Sequence, residues 1–257
     1  MPIIGLKQRE TDATGHIRLK NLRVDSQHYT VPDAFLAPWG ATKRLFGVKQ
    51  RTLLATFDSI VEEDEENIPI GAIPIPDEET LRLIGADEEH PITAYYYLTA
   101  DVTLSSPWVP INTFSGTLNG CGHTISGISV ADGNGMFVSI SGKVVALTLT
   151  GTVSCSESST GLLCSSLTGT VKNCVGSGNV SGTGVVGGLI GISSNGTIED
   201  CVFDGTVTGT GFYVGGLIGY LNIGSITRLH TSGTVSGNGY VGGVVGYCGT
   251  GTGVSYV

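Results

Sequence analysis

From residue 92 onward, apolar positions recur at a nearly constant distance along the chain. One set of glycines is followed in each case by an apolar residue, and its members are 26, 27, 28 and 27 residues apart: Gly135, Gly161, Gly188, Gly216 and Gly243. Three further apolar columns keep this period and begin at Val144, Leu147 and Val153. One repeat of this length cannot bury its own apolar face, so the repeats are expected to stack on one another.

The residues between the columns predict short strands and sharp turns. They are mostly Gly, Ser, Thr and Asn, while the columns themselves are rich in Val and Ile, and no repeat holds a long run of good helix formers. We therefore predict an all-β fold: a β-solenoid (β-helix) of about five 26–28-residue coils, with a small N-terminal mixed or β-rich docking region. At the usual strand spacing of ~4.8 Å, five coils would make a rod roughly 25 Å long.

Each repeat also has two consecutive apolar residues directly after its glycine. On a regular strand successive side chains point to opposite faces, so the second residue of each pair would build an outward apolar stripe. Another subunit, or the segment 68–75 of the same chain, would then cover that stripe. The alternative is a bend at the Gly-Gly pair that turns both columns inward. The candidate interface stripe consists of Phe137, Leu163, Ile190, Ile218 and Val245.

Two regions of different composition precede the repeats. Residues 1–60 mix strand-like runs with turn signals and carry most of the Lys and Arg of the chain. Residues 61–91 contain an acidic run at 62–66 and then several prolines, which would interrupt a strand ladder. We therefore predict an N-terminal docking or assembly region at 1–60, an acidic and Pro-rich connector at 61–91, and the solenoid at 92–257.

The motifs of residues 92–257 resemble the GLUG-repeat family of β-helix proteins, which are bacterial surface and adhesin-like proteins. The signature stands as Val-Gly-Gly-Leu-Ile-Gly at 186–191 and 214–219, and as Val-Gly-Gly-Val-Val-Gly at 241–246. A strand-like segment that begins at Tyr95 precedes the repeats in the order typical of that family. The resemblance implies adhesion, surface display or passive spacing, and it brings no catalytic residues. Residues 1–90 resemble no family.

Residues for catalysis or metal binding are sparse in the repeats. Asp200 and Asp204 have no second acidic pair above or below them, whereas β-helix enzymes that cleave polysaccharides need clustered carboxylates or basic residues. Cys121 lies two residues before His123 without a further ligand nearby, and the cysteines lack CxxC spacing. We therefore predict no enzyme, no catalytic residue, no cofactor and no metal. A polysaccharide-degrading β-helix enzyme is the less favoured alternative.

Two cysteines fall into an apolar column. Cys174 and Cys201 occupy the positions that Leu147 and Leu229 fill in neighbouring coils, and we interpret them as small buried apolar residues. A disulfide between successive rungs is the alternative, since rung spacing lies within the Cα range for such bonds.

Two aromatic columns are candidates for binding. Tyr213 and Tyr240 share one register, and Tyr220 and Tyr247 share another. Outward tyrosines one rung apart could stack on the sugar rings of a surface glycan or pack on a partner. Alternatively, a tyrosine ladder stabilises adjacent rungs.

The bulk properties narrow the function. A net charge of −9 disfavours nonspecific binding to nucleic acid, no stretch reaches the 18 apolar residues that insertion into a membrane needs, and no secretion signal is visible. We predict a structural or adhesive appendage subunit, most simply a fibre-like protein of a virion (a phage tail or head). Through residues 1–90 it would bind copies of itself or a virion or cell-surface structural protein. The alternatives are a bacterial cell-surface adhesin and a self-assembling extracellular filament subunit.

Overall fold

The computed structural model describes residues 68–131, 133–156 and 159–249, together with the backbone of short strands within residues 8–36 and at 255–256. The chain divides into two compact units, Met1–Asp64 and Glu65–Val257. In the first unit the described strands are β1 (Gln8–Thr11), β2 (Ile17–Lys20), β3 (Arg23–Val24), β4 (Gln27–His28) and β5 (Ala34–Leu36). Strand β2 pairs antiparallel with both β1 and β5, and β3 pairs antiparallel with β4.

The second unit begins with a strand and a short helix, followed by coils that repeat the same strand order. The first two elements are β6 (Ile73–Ile75) and α1 (Glu78–Arg82). The first coil contains β7 (Tyr95–Leu98), β8 (Val102–Thr103) and β9 (Ile111–Phe114). The second contains β10 (Thr117–Asn119), β11 (Thr124–Ala131) and β12 (Phe137–Ile140), and the third contains β13 (Lys143–Val145), β14 (Thr148–Cys155) and β15 (Cys164–Leu167).

The next three coils have a fourth strand each. The fourth coil contains β16 (Thr170–Lys172), β17 (Val175–Gly182), β18 (Val186–Gly187) and β19 (Ile190–Ser193). The fifth contains β20 (Gly196–Glu199), β21 (Val202–Gly209), β22 (Tyr213–Gly215) and β23 (Ile218–Leu221). The sixth contains β24 (Gly224–Thr227), β25 (His230–Gly237), β26 (Tyr240–Gly242) and β27 (Val245–Cys248), after which β28 (Ser255–Tyr256) follows.

Equivalent strands of successive coils pair in parallel and form four sheets. Sheet 1 runs from β6 through β7, β10, β13, β16, β20 and β24 to β28. Sheet 2 joins the second strands of the coils, from β8 to β25, and sheet 3 joins their last strands, from β9 to β27. Sheet 4 consists of β18, β22 and β26. The predicted β-solenoid is thus confirmed, with six coils where the repeat glycines indicated about five, because the first coil precedes Gly135.

The predicted apolar columns are stacked in register. On sheet 1, Val144 pairs with Val171, Val171 with Ile198, and Ile198 with Ile226. The column of Val153 and Val207 on sheet 2 is paired in the same way. These side chains fill the interior of the solenoid, where they are nearly all fully buried. Because these residues are nearly equally spaced along the chain, they occupy equivalent positions in successive coils, and apolar side chains stack on apolar side chains.

The prediction that the second apolar column forms an outward stripe is wrong. Phe137, Leu163, Ile190 and Ile218 are fully buried in the core, and Val245 in the last coil is partly buried. The chain bends at the Gly-Gly pair so tightly that a Cβ on Gly215 would lie 1.9 Å from the carbonyl oxygen of Ile218. The alternation rule of a regular strand does not apply across such a bend, and both apolar columns turn inward.

The segment 68–75 does not cover an outward stripe, as one alternative had predicted, but adds a strand to the solenoid. Strand β6 pairs in parallel with β7 and extends sheet 1 at its N-terminal edge. Helix α1 follows, with Asp77 as its N-cap, whose carboxylate accepts a hydrogen bond from the Thr80 backbone N–H at 2.9 Å. Leu81 and Trp108 are buried, and the Arg82 guanidinium lies 5.1 Å from the centre of the Trp108 ring. These residues cap the first coil.

The described part of the chain contains no helix that is long and apolar enough to cross a membrane.

Candidate functional site

In the fourth, fifth and sixth coils, the last two strands are joined by the Gly-Gly bend. In the fifth coil they are β22 and β23, and Tyr213 and Tyr220 lie on the outside of these two strands. Their ring centroids are 5.4 Å apart and the rings are stacked at 20°. A Cβ on Gly219 would lie 2.6 Å from Cγ1 of Val185, so this position also requires a residue without a side chain. The glycines therefore permit the close approach that brings the two tyrosines together.

The next coil repeats the arrangement one rung away. Tyr240 pairs in register with Tyr213, and Tyr247 with Tyr220. The Tyr213 and Tyr247 centroids are 4.8 Å apart, and Tyr240 meets Tyr247 edge-on at 5.3 Å and 67°. The two columns that the sequence showed separately are thus one surface feature. We call Tyr213, Tyr220, Tyr240 and Tyr247 the tyrosine cluster.

The tyrosine cluster is accessible from solvent. Tyr240 is 58% exposed, and the other three rings are partly buried against each other. Phe212, directly before Tyr213 in the chain, is 77% exposed. It lines a shallow groove of about 90 Å³ with Thr210, Gly211, Asn238 and Gly239. The groove thus lies between the fifth and sixth coils, and its Phe212 directly precedes one member of the cluster in the chain.

The hydroxyl groups and charges around the cluster define its chemistry. The Tyr220 hydroxyl donates to Oδ1 of Asn222 at 3.3 Å. Within the described residues, the hydroxyls of the other three tyrosines have no hydrogen-bond partner. The sequence after Asp204 contains a single Lys, Arg, Asp or Glu, namely Arg228, and its guanidinium is paired with Glu199 and Asp200. The surface is consequently aromatic, rich in hydroxyl groups and uncharged.

The acidic residues considered as catalytic candidates are engaged elsewhere. Hydrogen bonds from Arg228 hold the pKa of Asp200 below its usual value. Asp204 accepts a hydrogen bond from the Ser232 hydroxyl at 2.7 Å. Lys172 lies 3.8 Å from Glu199, so these charges form a ladder across three coils. This arrangement is one of ion pairs between rungs.

The Cys121 and His123 positions belong to a turn. Asp101 accepts hydrogen bonds from the Thr124 backbone N–H at 2.9 Å and pairs with His123 Nδ1 at 3.2 Å, and these contacts lower the pKa of Asp101. Cys121 is exposed, although partial desolvation raises the pKa of its thiol. Among the described residues, no group of three or more His, Cys, Asp or Glu side chains is gathered so as to hold a metal ion.

Cys174 and Cys201 lie in the interior as free, buried cysteines. Each thiol donates to a backbone carbonyl of its own coil, Cys174 to Lys172 at 3.3 Å and Cys201 to Glu199 at 3.2 Å. The hydrogen bond to Cys201, together with burial, raises the pKa of the Cys174 thiol. The interpretation as small apolar core residues agrees with these positions.

One column escaped the sequence analysis. It occupies the corner between sheets 1 and 2 in successive coils, and every member has a left-handed backbone with φ between 50° and 53°: Cys121, Ala146, Asn173, Asp200 and Arg228. Asn and Asp, which stand at two of these positions, adopt this conformation more readily than other non-glycine residues. Asn173 and Asp200 are 27 residues apart, and this spacing could have revealed the column in the sequence. Because Arg228 and Asp200 occupy this column in successive coils, their side chains lie next to each other and form an ion pair.

Comparison with known proteins supports the fold and the motif. Residues 182–208, which include one Gly-Gly bend, match the family model of the GLUG motif, and the resemblance seen in the sequence is thereby confirmed. The chain is similar in structure to a "putative immunoglobulin A1 protease" from Bacteroides ovatus, with a TM-score of 0.65 and 21% sequence identity. The similarity covers 71% of this chain and 63% of that chain, and at this identity it concerns the fold alone. No match is found among curated proteins.

Proposed function

We propose that this chain is a structural and adhesive subunit of an extracellular appendage, in which the solenoid displays the tyrosine cluster to a binding partner. The observation that carries this proposal is the contrast between the inside and the outside of the coils. The interior is a continuous apolar core, and the outer surface bears short polar side chains, ion pairs between rungs and one dense group of accessible aromatic rings. Aromatic rings exposed on a rigid scaffold are typical of recognition surfaces.

A catalytic role receives less support. The structural neighbour is named after a protease, but the described residues of this chain bring together no cluster of metal ligands. Glu199, Asp200 and Asp204 contact Lys172, Arg228 and Ser232, respectively. We therefore propose binding without catalysis.

The N-terminal unit has the docking role in this proposal. Met1–Asp64 is compact by itself and differs in composition and strand pairing from the solenoid, which has its own core and its own N-terminal cap. With docking assigned to this unit, the coils would serve display. Its partners would be copies of the chain or a structural protein of the virion or cell surface.

The setting favoured by the sequence is a virion fibre, with a bacterial adhesin and a self-assembling filament as alternatives. Negative-stain electron microscopy of the purified chain separates these arrangements, because a closed oligomeric fibre, a monomeric rod and an open filament have different outlines. A closed fibre is the expected result. Open filaments of growing length would favour the filament alternative.

Removal of residues 1–64 tests the docking role. The remaining solenoid should stay soluble and melt cooperatively, because its core and cap are intact, but it should sediment as a monomer. Analytical ultracentrifugation of both forms at equal concentrations gives the answer. If the shortened chain still forms the native oligomer, the docking role of the N-terminal unit is disproved.

A further inference from the structure

We infer that the tyrosine cluster binds a chain of neutral sugars, whose rings pack against the exposed parts of the tyrosines of the fifth and sixth coils. This inference rests on the proposed adhesive function and gives its ligand a chemical class. The starting point is the geometry of the rings, which are arranged in two rows parallel to the stacking direction of the coils. Tyr213 and Tyr240 centroids are 5.7 Å apart, as are those of Tyr220 and Tyr247.

A sugar chain fits this spacing. One face of a pyranose ring carries mainly C–H groups, which are slightly positive, and the face of a tyrosine ring is negative. The two surfaces therefore stack, and the hydroxyl groups at the sugar edge remain free for hydrogen bonds. Consecutive rings in a polysaccharide are separated by about the distance between neighbouring rungs. The rings of the cluster stack mainly on one another, so a sugar chain would pack on the exposed part of Tyr240 and along the outer edges of the other three rings.

The polar atoms of the cluster suit a polyhydroxylated ligand. Within the described residues, the hydroxyls of Tyr213, Tyr240 and Tyr247 have no partner, and the amide of Asn222 lies beside the Tyr220 hydroxyl. Each hydroxyl both donates and accepts, as sugar hydroxyls do. The groove beside Phe212 adds the side chains of Thr210 and Asn238 at the edge of the aromatic surface.

The charge pattern selects the class of sugar. A sulfated or carboxylated polysaccharide would need a cation near its charged groups, and Arg228 is already engaged by two carboxylates. Net charge is −9 over the chain, which repels polyanions further. The surface therefore favours neutral polysaccharides.

The size of the patch favours a sugar chain over a protein partner. Three of the four rings are partly buried and Tyr240 is 58% exposed. Since a whole tyrosine offers at most about 250 Å², the cluster exposes no more than about 400 Å². A stable protein interface needs about 800 Å² on each side, whereas two or three sugar rings need far less. Beyond the cluster, the apolar surface includes Phe212, which is 77% exposed, and Val185 and Ile192 in the fourth coil, which are partly buried.

Affinity electrophoresis of the full chain tests the inference. The acidic protein migrates toward the anode in a native gel, and a neutral polysaccharide cast into the gel retards it only if it binds. The probes are laminarin, mannan, dextran and hydroxyethylcellulose, with alginate as the acidic comparison. We expect retardation by at least one neutral polymer and none by alginate. The matching hexasaccharide should compete, whereas the monosaccharide at equal sugar concentration should not.

Three variants assign any retardation to the cluster. Tyr240→Ala should weaken binding at least tenfold, and Tyr240→Phe should retain most of it, because the ring remains. Tyr97→Ala removes a partly exposed tyrosine of the first coil on β7 and should bind like the parent. Melting curves confirm that each variant is folded; Tyr240 is exposed enough that its removal should leave the fold intact.

Two outcomes overturn the inference. One is that no neutral polymer retards the folded parent. The other is retardation that is equal in the parent and in Tyr240→Ala, which would place the sugar elsewhere. If instead the parent associates with itself through the cluster, Tyr240→Ala would lower its sedimentation coefficient without any effect of polysaccharide, and a second copy would be the occupant. The two electrophoretic results do not bear on the assembly of the full chain, so the appendage role is judged separately by microscopy.

Discussion

The guanidinium of Arg228 lies one coil beyond the carboxylate of Asp200 and donates two hydrogen bonds to it, from Nε to Oδ1 at 2.5 Å and from Nη2 to Oδ2 at 2.7 Å. Both residues have a left-handed backbone, with φ of 50° and 52°. The corner conformation is therefore what places the two side chains one above the other. Arg228 also contacts Glu199, so one cation joins two acids of the preceding coil.

Substitution of Arg228 should cause a small loss of stability that depends on pH. The pKa of Asp200 is lowered in the folded chain by Arg228, so this contribution is fully present above the ordinary pKa of an aspartate and is lost as the pH falls through the lowered value. Because the pair is accessible to solvent, Arg228→Ala should lower Tm at pH 7 by only about 1–2 °C. Calorimetry of both proteins from pH 7 to pH 2 should show this difference shrink toward zero. A difference that grows on acidification would contradict the assignment.

Replacement of Ala146 by glycine should stabilise the protein. Ala146 is held at φ 50°, where an alanine pays for the contact of its Cβ with the backbone and a glycine does not. Part of the gain is offset by the greater freedom of glycine in the unfolded chain, which leaves an expected increase of about 0.5 kcal/mol in the free energy of unfolding. Urea denaturation measures it. The control is Thr197→Gly on β20, an exposed strand position without positive φ, which should destabilise.

The stacking of the coils could be predicted from the sequence because it depends on spacing alone. Val144, Val171, Ile198 and Ile226 are 27, 27 and 28 residues apart, and stacked coils of equal length bring such residues to the same position. The tyrosine cluster was predictable only as two columns. Tyr213 and Tyr220 meet because the chain bends at Gly215, and the angle of that bend is a property of the packed coils.

The N-terminal cap of the solenoid, formed by β6 and α1, was not predicted, because it too depends on contacts between distant parts of the chain. Pro74 and Pro76 made the segment look like an extended connector, since a proline breaks the hydrogen bonds of a central strand. Strand β6 lies at the edge of sheet 1, and there an absent N–H on the outer side costs nothing. Whether a strand is at an edge depends on its partners, which local sequence does not specify. Local sequence patterns thus predict the repeat but not the elements at its ends.

Introduction of a charge into the sheet 1 column should unfold the solenoid. Ile198 is fully buried between Val171 and Ile226, so Ile198→Asp would bury a carboxylate without a partner and cost about 4 kcal/mol or more. Thr197→Asp is the matched control, because the neighbouring side chain is exposed on the same strand and should tolerate the charge. Circular dichroism melting compares the two. Equal melting temperatures would show that the column is not in the core.

The first glycine of the Gly-Gly bend should not tolerate any side chain. A Cβ on Gly215 would lie 1.9 Å from the Ile218 carbonyl oxygen and 2.6 Å from the Gly246 backbone nitrogen, and both of these atoms belong to the backbone and cannot move aside without opening the corner. Gly215→Ala should therefore cost about 3 kcal/mol or more, and it should separate Tyr213 from Tyr220.

Gly243 provides the control for this prediction, because it is the second glycine of the equivalent pair in the sixth coil and a Cβ there would meet nothing within 4 Å. Gly243→Ala should leave Tm within about 2 °C of the parent, since the space is open and the backbone is not left-handed. Melting curves and near-ultraviolet circular dichroism, which reports on packed tyrosines, distinguish the two variants. If both alanines were tolerated equally, the bend would not depend on the missing side chain, and the close approach of β22 to β23 would need another cause.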